Sequence, residues 1–256
     1  MEIRALLFDV NGTLIDIETD EGMDETYRAI AHFLAYQGIA LHRGEVRDLY
    51  FQIMKEQFAA SKEIYPEFDV VAVWREVLRR YATAYTRSLA PEKLLQMPLF
   101  IAELQRGISR KRLMAFPQVQ EMLAHLKTRY HLAVVSDAQS VYALPELRSA
   151  GLAGYFAPVI VSGDYGYRKP DTRLFQAALT ELQIRPEEAI FVGNDRFRDV
   201  FGARQVGMKT ILFCPHGNPG GPPENEPDYI LYQYAGLPRA IEFLSSAKWP
   251  SNVAMP

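Results

Sequence analysis

Residues 3–14 read IRALLFDVNGTL, a short and mostly apolar run that ends in a polar turn. The apolar part, residues 3–8, has the length and composition of a buried strand. The residues that follow, 9–13, are mainly polar and include Gly12, which gives the backbone the freedom that a tight turn needs. The segment therefore predicts a strand followed at once by a loop of polar side chains.

A second pattern begins after Pro117, where short apolar segments alternate with segments of helical periodicity. The predicted strands are residues 132–135, 159–161, 189–192, 210–214 and 229–231, and the predicted helices are residues 119–126, 141–150, 174–182 and 199–206. Short apolar strands separated by helices favour a parallel sheet that is covered on both faces. We therefore expect an α/β fold with a Rossmann-like parallel sheet flanked by helices.

Residues 23–110 separate the first predicted strand from the others and show only helical periodicity. Tyr27, Ile30 and Leu34 illustrate the spacing, and proline residues punctuate the segment. The stretch predicts an all-helical subdomain inserted into the α/β domain and lying on top of it. The expected organisation is a core of residues 1–17 and 112–245, an insert of residues 18–111, a Gly/Pro loop at 215–223, and a weakly ordered tail at 246–256.

Polar residues follow several predicted strands, and ligands in open α/β sheets bind beyond the carboxyl ends of the strands. These residues are Asp9, Asn11 and Thr13 after the first strand, Ser136 and Asp137 after the second, Lys169 after the third, and Asn194, Asp195 and Asp199 after the fourth. Hard carboxylate oxygens suit Mg²⁺, and lysine and serine donate hydrogen bonds to phosphate oxygens. The set indicates a site for Mg²⁺ and a phosphoryl group.

Four motifs contain these residues. They are FDVNGTL at 8–14, VVSD at 134–137, YRKPD at 167–171, and FVGND at 191–195 with Asp199 following. In these motifs and their order the sequence resembles the haloacid dehalogenase superfamily of aspartate-nucleophile hydrolases over nearly all of the core, and the helical insert resembles its C1-type cap. Any one motif alone is weak, but the joint pattern is specific.

The resemblance implies a role for each motif residue. It implies catalytic roles for Asp9, Asn11, Ser136 and Lys169, substrate contacts from Gly12, Thr13, Ser136, Asp137 and Lys169, and a Mg²⁺ site drawn from Asp9, Asn11, Asn194, Asp195 and Asp199. In this scheme Asp9 attacks phosphorus and forms an aspartyl-phosphate. The implied enzyme is a Mg²⁺-dependent phosphatase that acts on a small phosphorylated molecule.

Two positions depart from the family pattern. Asn11 stands where the phosphatases of the family usually carry the aspartate that protonates the leaving oxygen and then activates water, and an amide cannot do either. The second departure is Asn194, which stands where the first acid of the fourth motif is expected, although Asp195 keeps a carboxylate next to it. The main-chain carbonyl of Asn11 would still be available to a metal.

Three functions remain open at this point. The first is the Mg²⁺-dependent phosphatase, acting on any small phosphorylated substrate or only on those with good leaving groups. The second is a 2-haloacid dehalogenase-type hydrolase, in which Asp9 attacks carbon and the departing halide needs no proton, although such enzymes typically carry an aromatic residue at position 11. The third is a catalytically weak binding protein with the same fold.

Each motif residue also has an ordinary structural interpretation. Asp9 would serve as a turn residue, Ser136 as the cap of the next helix, and Lys169 as a solvated surface charge. Asp195 and Asp199 would be a capping pair for the helix after the fourth strand. Four basic residues of the insert would meet an anionic substrate or simply lie on a solvated helix face, and these are Lys55, Lys62, Arg75 and Arg79.

Composition excludes several classes of protein. With 48% hydrophobic and 23% charged residues in 256, the chain has the balance of a globular protein and not of a disordered one. Its net charge of −3 gives no sign of a nucleic-acid or membrane-surface partner, and its longest apolar run, residues 70–74, is far too short to span a bilayer. Cys214 is the single cysteine, which favours the reducing cytoplasm. The sequence leaves a monomer and a homodimer equally open.

Overall fold

A computed structural model describes residues 2–217 and 225–246. Its centre is a six-stranded parallel sheet in the order β5-β4-β1-β6-β7-β8. The strands are β1 (Ala5–Phe8), β4 (His131–Ser136), β5 (Val159–Val161), β6 (Ala189–Gly193), β7 (Lys209–Phe213) and β8 (Tyr229–Leu231). The predicted α/β fold is confirmed. Most of the predicted loop at 215–223 and nearly all of the predicted tail at 246–256 lie outside the described residues.

Helices cover both faces of this sheet. Side chains on a strand point alternately to its two faces, so a strand of apolar residues needs packing partners on both. Leu6 and Phe8 of β1 pack into one apolar cluster, whereas Ala5 and Leu7 pack into the other. The first cluster receives α6 (Val119–Leu126), α7 (Ser140–Ser149) and α10 (Leu237–Ser246), and the second receives α8 (Thr172–Leu182) and α9 (Gly202–Gln205). Strand β1 is therefore buried on both faces.

The insert between β1 and β4 is helical, as predicted, and has an apolar core of its own. Its helices are α1 (Asp24–Tyr36), α2 (Arg43–Ala60), α3 (Val70–Tyr81), α4 (Ala84–Arg87) and α5 (Pro91–Ser109). Trp74 lies at the centre, where its ring stacks on Tyr50 at 5.3 Å and its indole N–H donates to Gln105 at 2.9 Å. Burial of such aromatic side chains is the main stabilising contribution to a helical unit of this size.

Two strands that the sequence did not predict join this insert to the core. Strand β2 (Ile15–Thr19) pairs with β3 (Arg110–Ala115) in an antiparallel ribbon, and the predicted boundaries at 17/18 and 111/112 fall inside it. Arg112 of β3 forms ion pairs with Asp16 and Glu18 of β2 at 2.9 and 3.0 Å. These charged side chains hide the alternation of apolar residues by which a strand is recognised.

The segment after β6 also differs from the prediction of one helix over 199–206. A π-type helical turn, Arg196–Phe201, precedes α9, so the helical chain begins three residues earlier.

None of the helices in the described ranges combines the length and the apolar composition needed to cross a membrane.

Candidate active site

The motif residues meet at the carboxyl edge of the sheet. Strand β1 lies between β4 and β6, so the residues that follow these three strands are brought together. They are Asp9 after β1, Asp137 after β4, and Asn194 after β6. Residues far apart in the chain thus become neighbours, as the sequence predicted.

Asp9 is held in a defined orientation by two side chains. The Thr13 hydroxyl donates to Asp9 Oδ2 at 2.9 Å, and Lys169 Nζ donates to Asp9 Oδ1 at 2.8 Å. The turn itself is fixed, since the Gly12 N–H donates to the Ile15 carbonyl and Gly12 has a φ of +78°. Asp9 is therefore a buried, oriented carboxylate.

Lys169 links two carboxylates at the bottom of the site. Its ammonium donates to Asp9 at 2.8 Å and to Asp199 at 2.6 Å, with the lysine side chain only 2% exposed. Burial opposes its charge, but Asp199 and Asp9 more than offset this and raise the pKa of Lys169 above its usual value. The interpretation of Lys169 as a solvated surface charge is therefore wrong.

Asp199 is as deeply buried as Lys169. Its second oxygen accepts hydrogen bonds from the main-chain N–H groups of Asn194 and Asp195 at 3.0 and 2.9 Å. Burial raises the pKa of Asp199 to about 6, against the opposing effect of Lys169. Gly193 makes room for this carboxylate, because a Cβ at that position would lie 2.4 Å from it.

The neighbours Asn194 and Asp195 face different surroundings. The side chain of Asn194 packs against the turn after β1, since a Cβ on Gly12 would lie 2.2 Å from Asn194 Nδ2. Asp195 instead accepts from the N–H groups of Phe197 and Arg198 and pairs with the Arg198 guanidinium at 2.9 Å. Burial would raise the pKa of Asp195, but these contacts outweigh it and lower the pKa. The capping interpretation is confirmed for Asp195.

Ser136 and Asp137 carry buried atoms that lack hydrogen-bond partners. Ser136 Oγ has none, so Ser136 does not cap α7, whose N-cap residue is Gln139. Asp137 Oδ1 accepts a hydrogen bond from the Lys169 N–H at 2.8 Å, whereas Asp137 Oδ2 has no hydrogen-bond partner. Asn11 Oδ1 is likewise buried and unpaired. Buried polar groups are usually satisfied, so such a group of orphans is typical of a site that takes a ligand.

Sequence reasoning missed three residues beside Asp137. Arg168 and Arg198 flank its Oδ2 at 3.7 and 3.8 Å, and Glu67 of the insert lies among the same charges. Arg168 could have been predicted as a site residue, because it precedes Lys169 in the third motif, but nothing in the sequence indicated Glu67. The basic residues considered in the insert, Lys55, Lys62, Arg75 and Arg79, are all exposed. Three of them lie on solvated helix faces, whereas Lys62 lies in the segment between α2 and α3.

Comparisons with known proteins show which family the chain resembles. A family model described as haloacid dehalogenase-like hydrolase matches residues 6–213, which include all four motifs. The chain is 26% identical over 214 residues to a glyceraldehyde 3-phosphate phosphatase of Methanothermobacter thermautotrophicus, across 82% of this chain and 85% of that one. It is 36% identical over 169 residues to a phosphoserine phosphatase of Thermus thermophilus, across 64% and 65% of the two chains.

The fold is similar to that of a protein whose crystal structure is known. The crystal structure of a 2-haloacid dehalogenase from Pseudomonas syringae pv. Tomato DC3000 superposes with a TM-score of 0.70 at 23% identity, covering 94% of this chain and 99% of that one. At this identity the likeness concerns the fold alone. The family match covers most of the chain, and the four motifs converge at one edge of the sheet. The chain belongs to the haloacid dehalogenase-like hydrolase family.

Proposed function

We propose that this hydrolase is a Mg²⁺-dependent phosphatase that acts on a small phosphorylated substrate with Asp9 as nucleophile. The observation that carries the proposal is the buried Asp9 carboxylate, oriented by Thr13 and Lys169. The unpaired Ser136 hydroxyl supports it as a donor to a phosphoryl oxygen. Similarity to named phosphatases of two organisms points to the same chemistry.

The proposed reaction has two displacements at phosphorus. Asp9 attacks in line, a P–O bond forms to its carboxylate, and the bond to the leaving oxygen breaks. Water then attacks the aspartyl-phosphate, which releases inorganic phosphate and restores Asp9. The proton that the water gives up passes through solvent to the leaving oxygen, because Asn11 cannot carry it. Lys169 offsets negative charge as it builds up beside Asp9, and Thr13 keeps the attacking carboxylate in place.

The oxygen donors beside Asp9 fit a Mg²⁺ ion. Within residues 2–217 and 225–246, no cluster of three or more acidic, histidine or cysteine side chains is arranged for a metal. Mg²⁺, however, commonly takes one or two carboxylates and completes its shell with water and substrate phosphate. Asp9, the main-chain carbonyl of Asn11 and the side chain of Asn194 would hold it. The ion would supply charge neutralisation between nucleophile and phosphate.

Asp195 and Asp199 are weaker candidates as metal ligands. Both oxygens of Asp199 are engaged by Lys169 and two main-chain N–H groups, and Asp195 is engaged by Arg198 and the helical turn that it caps. One oxygen of each accepts two hydrogen bonds, whereas each oxygen of Asp9 accepts only one and keeps a lone pair for a metal. Asn194 is therefore preferred, because its side chain already lies against the turn that carries Asn11.

The helical insert is proposed to act as a C1-type cap over this site, with the core formed by residues 1–17 and 112–245. Support comes from the segment between α2 and α3, which hydrogen-bonds to the loop that carries Lys169. A cytoplasmic location is proposed from the single cysteine, Cys214, which is unpaired.

The second candidate, a 2-haloacid dehalogenase, is favoured by one observation. Asn11 cannot protonate an alkoxide, and a departing halide needs no proton. Phosphate release and chloride release from 2-chloropropionate, each measured with and without EDTA, separate the candidates. EDTA-sensitive phosphate release supports the proposal, and EDTA-insensitive chloride release replaces it with the dehalogenase. Absence of both activities would leave the third hypothesis, a binding protein with weak or no turnover.

A further inference from the structure

One segment of the insert is hydrogen-bonded directly to the loop before Lys169. We name residues 63–69, between α2 and α3, the strap. The Arg168 N–H donates to the Tyr65 carbonyl at 2.9 Å, and the Glu67 N–H donates to the Gly166 carbonyl at 3.0 Å. These two bonds pair the strap with the loop in the manner of neighbouring antiparallel strands. The position of the strap and the position of this loop are therefore linked.

Gln139 binds the carboxyl end of the strap to the core. Its side-chain amide donates from Nε2 to the Phe68 carbonyl at 2.7 Å and accepts at Oε1 from the Val70 N–H at 3.0 Å. The side chain is only 7% exposed, so these bonds compete little with water. A side chain that both donates and accepts is needed to hold the two main-chain groups.

Other contacts of the strap differ in strength. At its outer end, Glu63 pairs with Arg173, but both side chains are partly exposed, and such surface pairs contribute little. Nearer the site, the Ser162 hydroxyl donates to Glu67 at 2.8 Å. Gln139 is the contact that lies next to the catalytic motifs in sequence, three residues after Ser136.

We infer that Gln139 is a positioning residue, which docks the strap against residues 166–168 and thereby holds the Lys169 ammonium against Asp9. The expected loss of kcat rests on the proposed function, whereas the docking of the strap does not. The loop is held on the core side by Asp137, which accepts from the Lys169 N–H, and on the insert side by the strap. Loss of the strap frees one side of this loop.

A small displacement would be costly at this point. Lys169 Nζ contacts two carboxylates at 2.6 and 2.8 Å, and misplacement of a catalytic group by about 1 Å can cost ~10²-fold in rate. The effect should fall on kcat, because Lys169 acts on the nucleophile, and leave KM for a small substrate nearly unchanged. A purely structural role would lower apparent kcat only in proportion to the loss of folded protein, so kcat is calculated per folded molecule, with the folded fraction measured by circular dichroism.

The test compares Gln139→Met, which keeps the length of the side chain but removes both bonds, with Gln139→Glu, which keeps the acceptor and loses the donor. Glu63→Gln at the outer end of the strap is the matched control. We expect amide hydrogen exchange of Glu67, Arg168 and Val70 to speed up in Gln139→Met, less in Gln139→Glu and not in Glu63→Gln. Amides in the central strands should stay protected in all three.

Kinetics with p-nitrophenyl phosphate complete the test. Gln139→Met should lower kcat at least tenfold with KM changed less than threefold. Unchanged exchange at Glu67 and Arg168 would overturn the docking role, and faster exchange with unchanged kcat would overturn the positioning role. If the parent protein releases no phosphate, the proposed function fails by itself, and exchange of the Lys169 amide then decides the inference, with faster exchange supporting it and unchanged exchange refuting it.

Discussion

The site contains two groups of charged residues that differ in how completely they are satisfied. The inner cluster, Asp9, Lys169 and Asp199, is nearly inaccessible to water, and every carboxylate oxygen in it accepts a hydrogen bond. The rim cluster consists of Asp137, Arg168, Arg198 and Glu67, and its two arginines are about 40% exposed. Asp137 Oδ2 and Arg168 Nε have no hydrogen-bond partner.

The inner cluster and the rim cluster are therefore expected to differ in rigidity. A buried network with all partners in place is rigid, whereas polar atoms without hydrogen-bond partners are free to meet a ligand. In the proposed function, the inner cluster would hold the nucleophile Asp9, and the rim cluster would meet the substrate. Four substitutions test this comparison.

The largest effect is expected from Lys169→Met in the inner cluster. Removal of the ammonium leaves Asp9 and Asp199 facing each other without a counter-charge. Breaking a buried ion pair costs about 3–5 kcal/mol, so a large loss of stability in urea and loss of turnover are expected. Lys55→Met, at an exposed lysine of α2, is the control and should change neither. Equal unfolding midpoints for the two variants would contradict the description of the inner cluster.

Asn11→Asp should have the next largest effect, this time as a gain. The carboxyl group would protonate a leaving alkoxide and then activate water, which is typically worth ~10²–10⁴-fold. Sugar phosphates should gain most and activated aryl phosphates least. Because Asn11 precedes Gly12 and such pairs deamidate, mass spectrometry of the Asn11 peptide must accompany the kinetics. An equal gain on both substrate classes would contradict the assignment of Asn11 as the limit on proton transfer.

Asn194→Asp tests which of two neighbours, Asn194 or Asp195, would hold the proposed Mg²⁺ ion. The added carboxylate should tighten Mg²⁺ binding by about tenfold, equivalent to about 1.4 kcal/mol, because a negative ligand replaces a neutral one. Asp195→Asn is the comparison and should affect mainly the helical turn that Asp195 caps. Mg²⁺ titration of activity and calorimetry measure both. Loss of Mg²⁺ affinity in Asp195→Asn, with none gained in Asn194→Asp, would reverse the preference between them.

The smallest effect is expected from Glu67→Gln at the rim. Burial raises the pKa of Glu67, an effect that Asp137 reinforces and that Arg168 and the Ser162 hydroxyl reduce. A raised folded-state pKa adds stability that is complete below the ordinary value of 4.5 and is lost as the pH rises through the raised value. The melting temperature of Glu67→Gln relative to the parent should therefore increase over that window. A difference that is constant with pH would show that Glu67 does not titrate there.

Much of the inner cluster could be predicted from the sequence. Asp9, Lys169 and Asp199 each follow a predicted strand, and parallel strands bring such residues to one edge. The orientation of Asn194 and Asp195 could not be predicted, because neighbouring side chains point in different directions and the turn after β6 decides which one meets β1. The ribbon of β2 and β3 was missed because its charged side chains mask the apolar alternation.

The sequence by itself determined the order of strands and helices, the polar residues at the strand ends, and the lack of an acid at position 11. Only the tertiary structure decided that Lys169 lies between two carboxylates, that Asp195 turns to Arg198, and that the strap is fastened by Gln139. The reason is that periodicity reports which face of an element is buried, a local property. Contacts between distant segments depend on strand order, burial and the geometry of individual turns, which no local pattern encodes.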